Sequence, residues 1–332
     1  MEVGMRHVVF SAITLLCVSS MTCWSESKLL SQLGLPQNTR ALLVHADDVG
    51  MSWSADVASI EAMEKGSVTC GSVMVPCPWF PSTLKACAEN PSLDIGLHLT
   101  LTSEWELYRW GPVAPINQVP KLLDQQGYLW RSEQQVYQSV GGDIRQVSIE
   151  VQAQIDKALG LGMKPTHLDS HMGTLYYREE YFKLACNLAL ANDLPFMTFA
   201  YHADGEWKPE DILPYYTREV ADKLDKAGFP LIDKLIMDEK SGKTIEEGFD
   251  NYCKTLSDLK PGVTLLILHL GKEGEELEHI TSRHWSRDQQ YRIFTDPRLA
   301  EFIKKENIHL LGWRELKEKV WDQRDKSIKK VF

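Results

Sequence analysis

The sequence has 332 residues, of which 43% are hydrophobic and 25% are charged, and its formal net charge is -10. This is the composition of a soluble globular protein, long enough for one large domain or two ordinary ones. The acidic balance and the lack of a Lys/Arg cluster argue against a nucleic-acid partner and favour a small or neutral substrate.

The chain begins with a segment typical of a secretory signal peptide. Arg6 and His7 precede the run VVFSAITLLCVSS, which is too short to cross a bilayer, and small and polar residues follow it. We therefore assign residues 1–25 to a signal peptide and residues 26–332 to the folded domain. We expect an exported protein, periplasmic or secreted, with no membrane span after signal removal. Lipoprotein anchoring at Cys23 and an uncleaved apolar N-terminal helix are the alternatives.

Short apolar runs alternate with amphipathic segments along the rest of the chain. The runs that predict strands are ALLVHA (41–46), SVTCGSVMV (67–75), DIGLHLTL (94–101), THLDS (166–170), PFMTFAYH (195–202), LIDKLIM (231–237), VTLLILHL (263–270) and IHLLGW (308–313). Apolar residues at helical spacing predict helices over residues 55–66, which end on Gly66, and over residues 143–162.

Repeated strand and helix units with nearly continuous apolar strands predict an α/β fold with a parallel sheet covered by helices. Seven or eight such units favour a single (β/α) barrel, a distorted TIM-like barrel, over an open sheet. No linker or low-complexity segment divides the chain, so one domain is expected. The long connection over residues 102–142 is rich in Trp, Tyr, Pro and Gln. It is either a substrate-facing loop or a surface loop whose aromatic residues pack on the barrel.

Five cysteines follow the leader without a CxxC pair or a disulfide framework: Cys70, Cys77, Cys87, Cys186 and Cys253. We interpret them mostly as small buried residues. A disulfide between Cys77 and Cys87 stays open.

Two adjacent carboxylates, Asp47 and Asp48, end the first predicted strand in the stretch HADDVG. An aspartate at a strand-to-helix junction is often the N-cap of the next helix, which is the plain structural explanation. In a parallel barrel, however, the chemistry lies at the carboxyl ends of the strands. Other predicted strands end in further polar residues: His98, His167, Asp169, His171 and His269.

One carboxylate and two imidazoles make an open site for a divalent cation, with positions left for water and substrate. Such a cation acidifies water and polarises a carbonyl, while a free carboxylate takes the proton and an acid protonates the leaving group. Each histidine taken alone is more simply a hydrogen-bonded structural residue. Their convergence at one rim with a pair of aspartates predicts a hydrolytic metal site.

Five motifs, in this order, resemble those of the YdjC-like carbohydrate deacetylases, the family that includes bacterial chitooligosaccharide deacetylase: HADDVGMSWSAD, GSVTCGSVMVPCPW, DIGLHLTLTSEW, KPTHLDSHMG and LILHLG. The resemblance covers residues 40–315. It implies that the metal ligands are Asp48, His98 and His171.

The same resemblance implies the remaining roles at the site. Asp47 would be the general base and His269 the general acid, while His167 and Asp169 would orient the ligands. Two departures from the family pattern lie where substrate preference and the acid role of His269 would be set. Further histidines usually follow HLDSH, where this chain has Met172, Gly173 and Tyr176, and the usual His-Pro is replaced by His269, Leu270 and Gly271.

The predicted function is a metal-dependent hydrolase that removes N-acetyl groups from an acetylated sugar or short oligosaccharide. The ligand chemistry suits zinc and the resemblance points to magnesium, so one divalent metal ion is expected. Four residues are candidates for contact with an acetylated carbohydrate substrate, with plain packing as the alternative: Trp105, Trp110, Trp130 and Tyr176. A glycosidase and a catalytically inactive carbohydrate-binding barrel are the alternative functions, and a homodimer stays open.

Overall fold

The computed structural model describes residues 26–202, 208–209, 213–237 and 239–332. The predicted signal peptide and Cys23 therefore lie outside the described residues. In this part of the chain, no helix combines the length and the apolar composition needed to cross a membrane.

Strands and helices alternate as the sequence predicts. The strands are β1 (Arg40–Val49), β2 (Cys70–Val73), β3 (Ile95–Leu99), β4 (Leu168–Ser170), β5 (Thr198–Phe199), β6 (Leu231–Ile232), β7 (Lys234–Ile236), β8 (Gly262–Leu268) and β9 (Ile308–Leu310). The helices are α1 (Lys28–Leu33), α2 (Trp53–Lys65), α3 (Phe80–Glu89), α4 (Glu133–Val140), α5 (Arg145–Gly160), α6 (Glu179–Ala191), α7 (Arg218–Lys226), α8 (Ile245–Ser257), α9 (Glu275–Ile280), α10 (His284–Thr295), α11 (Pro297–Lys305) and α12 (Trp313–Lys319). Each predicted run contains a strand, and both predicted helices are present.

Strand β1 is the centre of the main sheet. It pairs in parallel with β8 from Arg40 to Ala46, and it also pairs with β9 at its start and with β2 from His45 onward. The hydrogen-bonded order is β4-β3-β2-β1-β8-β7, with β9 added beside β1. Because these ladders are parallel, the carboxyl ends of the strands that carry the predicted site residues meet at one rim.

The curled sheet does not close into a regular barrel within the described residues. Strands β5 and β6 form a separate parallel pair, and a single bridge between Leu168 and Phe196 links β4 to the residues before β5. Asp233 interrupts the segment that forms β6 and β7, and its carboxylate accepts the backbone N–H of Val263 at 2.7 Å. The predicted parallel α/β fold is confirmed. In place of the predicted barrel, the strands form a distorted half-barrel, which is interrupted on the side of β5 and β6.

The central strands are buried on both faces, as their apolar composition predicts. Leu42, Leu43 and Val44 in β1 have no exposed surface. Helix α2 contacts β1, and helix α5 contacts β3. A parallel sheet covered in this way leaves its strand ends as the accessible part of the structure, where ligands bind.

Helix α2 begins two residues earlier than predicted, because Ser52 is its N-cap. The Ser52 side chain accepts a backbone N–H of the first turn at 3.2 Å, and Gly66 follows the last helical residue as predicted. Since Ser52 caps the helix, the explanation of Asp47 and Asp48 as helix caps is wrong.

The connection over residues 102–142 is partly packed and partly directed at the site. Glu150 in α5 accepts the backbone N–H groups of Val113 and Ala114 at 2.9 and 2.8 Å, which fixes the middle of the connection. Its first part carries Glu104, whose carboxylate reaches a histidine at the rim. The connection is therefore packed in its middle and reaches the rim in its first part, while contact with a substrate stays a prediction.

The cysteines of the described residues are free thiols: Cys70, Cys77, Cys87, Cys186 and Cys253. Cys70, Cys77 and Cys186 are buried, as predicted for small apolar residues. The disulfide between Cys77 and Cys87 is not formed.

Candidate metal centre and active site

The first strand ends in a left-handed backbone turn at Asp48. Its φ is 61°, and it is one of four non-glycine residues with a positive φ in the described residues. Among residues with a Cβ, aspartate and asparagine tolerate this region best. Backbone conformations of this kind concentrate at functional sites. The turn follows Asp47 directly and leaves both carboxylates buried at the rim.

The predicted ligands come together around one carboxylate oxygen. Oδ1 of Asp48 lies 3.6 Å from Nε2 of His98 and 3.2 Å from Nδ1 of His171. The three candidate ligand atoms lie within 4.8 Å of one another, and all three side chains are buried. Asp48 Oδ1 has no hydrogen-bond partner. A buried carboxylate oxygen without a partner is costly, and a cation between these three atoms would satisfy it.

His98 is oriented by a carboxylate on the neighbouring strand. It lies opposite Asp169 in the β3–β4 ladder, and its Nδ1 is 2.7 Å from Oδ1 of Asp169. Ser72 donates to the other oxygen of Asp169 at 2.8 Å. Burial by itself lowers the pKa of His98, but Asp169 and then Asp47 raise it overall. With Nδ1 engaged by Asp169, Nε2 of His98 faces Asp48, as the predicted role of Asp169 requires.

Glu104 orients the other imidazole, and it was not among the predicted site residues. Its Oε2 lies 3.0 Å from Nε2 of His171, so the opposite ring nitrogen, Nδ1, is the one that faces Asp48. Glu104 is present in the motif DIGLHLTLTSEW. Its place after β3 at the rim was the signal that could have indicated it.

Arg287 is the second site residue that the sequence did not indicate. It lies in α10, far along the chain, and its Nη2 donates to Oδ2 of Asp48 at 2.7 Å. Burial raises the pKa of Asp48, but Arg287 and then His171 hold it well below its ordinary value. Asp48 is therefore a carboxylate, with Oδ2 bound to Arg287 and Oδ1 left free for a ligand.

Asp47 presents one oxygen to the site and binds a neighbour with the other. Its Oδ1 is 2.8 Å from Nδ1 of His45. Its Oδ2 lies 3.9 Å from Nε2 of His98 and 3.9 Å from Nε2 of His269. The His269 side chain is 44% exposed, so it stands at the mouth of the site. The predicted base and the predicted acid thus face each other across a gap.

His167 forms its hydrogen bonds with His45 and Thr166 and not with a proposed metal ligand. Its Nε2 is 2.9 Å from Nε2 of His45, and its Nδ1 is 3.1 Å from Oγ1 of Thr166. Its hydrogen bonds in the described residues therefore go to these neighbours and not to a metal ligand. Nε2 of His167 also lies 3.8 Å from Oδ2 of Asp169, and the role of His167 in orienting the ligands stays a prediction.

The predicted carbohydrate contacts divide into two groups. Trp110 is 3% exposed, and the hydroxyl of Tyr176 donates to a backbone carbonyl while its ring stacks on Phe196 at 5.0 Å. Packing is therefore the role of Trp110 and Tyr176. Trp105 and Trp130 are only partly buried, and for them stacking on a sugar stays a prediction.

Met172 and Gly173 form a tight turn directly after His171. Met172 and Gly173 both adopt left-handed backbone conformations, with φ of 52° and 62°. The Met172 side chain is 47% exposed, whereas Tyr176 is turned into the packing described above. Of the residues that replace the usual histidines, Met172 is therefore the one that stands open beside a candidate ligand.

A parallel α/β sheet with one carboxylate and two imidazoles at its strand ends, beside a second free carboxylate, is typical of hydrolases that use a divalent cation. The chain belongs to the YdjC-like family, since the family described as "YdjC-like protein" matches residues 41–305. The predicted resemblance, and with it the class of hydrolase enzyme, is confirmed.

Two curated relatives match almost over their whole length. A carbohydrate deacetylase of Thermus thermophilus is 30% identical over 294 residues, which cover 87% of this chain and 98% of the relative. A carbohydrate deacetylase of Thermoanaerobacter pseudethanolicus is 27% identical over 276 residues, which cover 83% and 99%.

A solved structure from Enterococcus faecalis shares the fold. It is described as that of a candidate cellobiose-phosphate cleavage protein, and it superposes with a TM-score of 0.66 at 23% identity. The match covers 84% of this chain and 99% of that chain.

Proposed function

We propose that this protein is a metal-dependent hydrolase that removes N-acetyl groups from an acetylated sugar or short oligosaccharide. The observation that carries the proposal is the unpartnered Oδ1 of Asp48, which faces ring nitrogens of His98 and His171 beside the free carboxylate of Asp47. Family membership and relatives named carbohydrate deacetylase support the choice of reaction.

Asp48, His98 and His171 would hold one divalent cation. Their atoms fit such an ion, because one carboxylate oxygen lacks a partner and both imidazoles are oriented by carboxylates at their opposite nitrogens. When bound, the cation supplies an acidified water and a polarised acetamide carbonyl. The donor set suits zinc and the family resemblance points to magnesium, so the proposal names a divalent cation only.

Asp47 and His269 would move the protons of the reaction. Asp47 Oδ2 is the free carboxylate oxygen at the site, and it takes a proton from the attacking water. His269 gives a proton to the amine nitrogen as the C–N bond breaks, so that acetate and the free amino sugar leave. Oδ2 of Asp47 lies 3.9 Å from Nε2 of His269, and this closeness supports the proposal that the two groups serve the same substrate.

Two exposed tryptophans at the same rim would contact the sugar rings. Trp53 is 50% exposed and Trp79 is 36% exposed, with ring centroids 5.0 Å apart. The backbone N–H of Trp79 donates to the carbonyl of Gly50, which lies two residues after Asp48. The pair therefore flanks the loop that carries the candidate metal ligand, and exposed aromatic faces suit sugar rings.

A single incubation with N-acetylated chitooligosaccharides tests the proposal. Free acetate and new reducing ends are both measured, with Asp47→Asn as the matched control. The proposal predicts acetate without new reducing ends, and loss of acetate in the control. New reducing ends without acetate would identify a glycosidase, and sugar binding without either product would identify an inactive carbohydrate-binding protein.

A further inference from the structure

A line of buried hydrogen bonds runs through the inside of the sheet from Asp47 to Asp94. Asp47 Oδ1 is 2.8 Å from Nδ1 of His45, and Nε2 of His45 is 2.9 Å from Nε2 of His167. Nδ1 of His167 is 3.1 Å from Oγ1 of Thr166, whose hydroxyl donates to Oδ1 of Asp94 at 2.6 Å. All of these residues are buried. The line connects the proposed base at one end of the strands with a carboxylate just before β3 at the other end.

The surrounding packing fixes the rings of this line. The His167 ring stacks on Trp313, with centroids 4.6 Å apart and an angle of 15° between the planes. A Cβ on Gly96 would come within 2.5 Å of the His167 ring, so only glycine leaves room for it. Asp94 accepts the backbone N–H of Arg314 at 2.8 Å with its second oxygen. The middle of the line and its Asp94 end are thus held by the fold.

The hydrogens of the line can be assigned from one fixed donor. The single hydroxyl hydrogen of Thr166 goes to Asp94, so the Thr166 oxygen accepts from Nδ1–H of His167. Burial holds the pKa of His167 well below its ordinary value, so its ring is neutral and its Nε2 has no hydrogen. Nε2 of His167 therefore accepts from Nε2–H of His45.

We propose that His45 is a positioning residue for Asp47, which it holds through the 2.8 Å contact between its Nδ1 and Oδ1 of Asp47, while the buried line from Asp94 fixes the ring of His45. The inference rests on the proposed function, in which Asp47 is the base. The two carboxylate oxygens of Asp47 then have different roles. Oδ1 is committed to His45, so Oδ2, which lies 3.9 Å from Nε2 of both His98 and His269, is the oxygen that reacts.

Two substitutions of His45 separate its two contacts. In His45→Asn the amide nitrogen replaces Nδ1 and can donate to Asp47, but the side chain is too short for His167. In His45→Gln the longer side chain replaces Nε2 and reaches His167, but leaves Oδ1 of Asp47 without its partner. Both variants are made in the full chain and then loaded with the divalent cation. Metal content is measured first, and kcat and KM are then measured with an N-acetylated sugar.

We expect His45→Gln to lower kcat by about 10- to 100-fold, the usual effect of removing a residue that orients a site group. KM and metal content should stay near those of the unchanged protein, and His45→Asn should keep most of kcat. In an Asp47→Asn background, His45→Gln should cause no further loss, since the two residues act as one unit. Equal losses in the two His45 variants, or additive losses with Asp47→Asn, would overturn the inference.

A measurement without turnover tests the line itself. Nitrogen chemical shifts of histidine labelled with ¹⁵N should show His167 protonated at Nδ1 only and His45 protonated at Nε2. His167 protonated at Nε2 would overturn the inference even if the enzyme is active. Absence of acetate release by the unchanged protein would remove the proposed function, while the nitrogen shifts would still decide the hydrogen-bonded line.

Discussion

Nδ1 of His171 lies 3.2 Å from Oδ1 of Asp48, while Nε2 of the same ring lies 3.0 Å from Oε2 of Glu104. The imidazole is thus placed between two carboxylates at both of its nitrogens. Burial by itself lowers the pKa of His171, but Glu104 and then Asp48 raise it to about 10. At neutral pH the metal-free protein therefore holds an extra proton on this ring. Nδ1 faces Oδ1 of Asp48 without an aligned hydrogen bond, and it is the nitrogen that a cation would need.

Metal uptake should accordingly release a proton from His171. A cation binds only the unprotonated nitrogen, so below the raised pKa each bound ion displaces about one proton and the affinity rises by about tenfold per pH unit. Calorimetric titration with the metal, repeated in buffers of different ionisation enthalpy, measures the released protons. Glu104→Gln lowers the pKa of His171 and should reduce the release, whereas Glu106→Gln at an exposed position should not. Uptake without proton release contradicts the assignment of His171.

The candidate ligand set predicts a second outcome. Because Asp48, His98 and His171 are proposed as the whole protein ligand set, His98→Ala and His171→Ala should each sharply lower the bound metal found by elemental analysis. His309→Ala removes an exposed histidine of β9 and serves as the control, which should keep its metal. Full metal content in both site variants would remove the site as described.

We propose, in addition, that the protein is exported, as its N-terminal segment indicates. The folded part already includes Ser27, whose hydroxyl accepts the N–H of Leu30 at 3.1 Å and caps α1. Cleavage should therefore leave Ser27 in place, and mass spectrometry of the protein from its own host should find a new N-terminus between Ser20 and Ser27. Recovery of intact Met1 in a cytoplasmic fraction would contradict export.

The positions of the strands along the chain and their parallel arrangement could be predicted, but the shape of the sheet could not. Apolar runs of strand length fix where strands form, since each must bury both faces. The interruption at Asp233 and the single bridge between Leu168 and Phe196 depend on contacts between segments far apart in the chain. No local sequence pattern indicates such contacts, so the sequence predicted a distorted barrel but not that the sheet forms only a half-barrel.

The candidate site, like the fold, could be predicted from the sequence only in part. Asp48, His98 and His171 could be brought together by the rule that parallel strands end at one rim, because each lies at or just after a strand end. Arg287 could not, since an arginine in a helix far along the chain carries no signal in the sequence of the residue it will contact. His45 could have been found, because residues two apart on a strand share a face and Asp47 follows it at that spacing.

The two adjacent aspartates give the sharpest prediction, because the structure assigns their oxygens differently. Asp48 Oδ2 is bound by Arg287 and its Oδ1 faces the candidate ligands, whereas Asp47 Oδ1 binds His45. Asp47→Asn should therefore keep its metal and lose about 10²- to 10⁴-fold in deacetylase activity, the usual contribution of a general base. Asp48→Asn should weaken metal binding and lose activity that added metal partly restores.

Asparagine is the suitable replacement at Asp48, because it tolerates the left-handed backbone at φ 61° and leaves the turn intact. Loss of metal in Asp48→Asn then reports the lost charge and not a refolded loop. Metal content and acetate release are measured for both variants at several metal concentrations. If Asp47→Asn loses its metal while Asp48→Asn keeps it, the two roles are reversed. If both variants keep metal and activity, neither carboxylate serves the reaction, and the unpartnered oxygen of Asp48 needs another explanation.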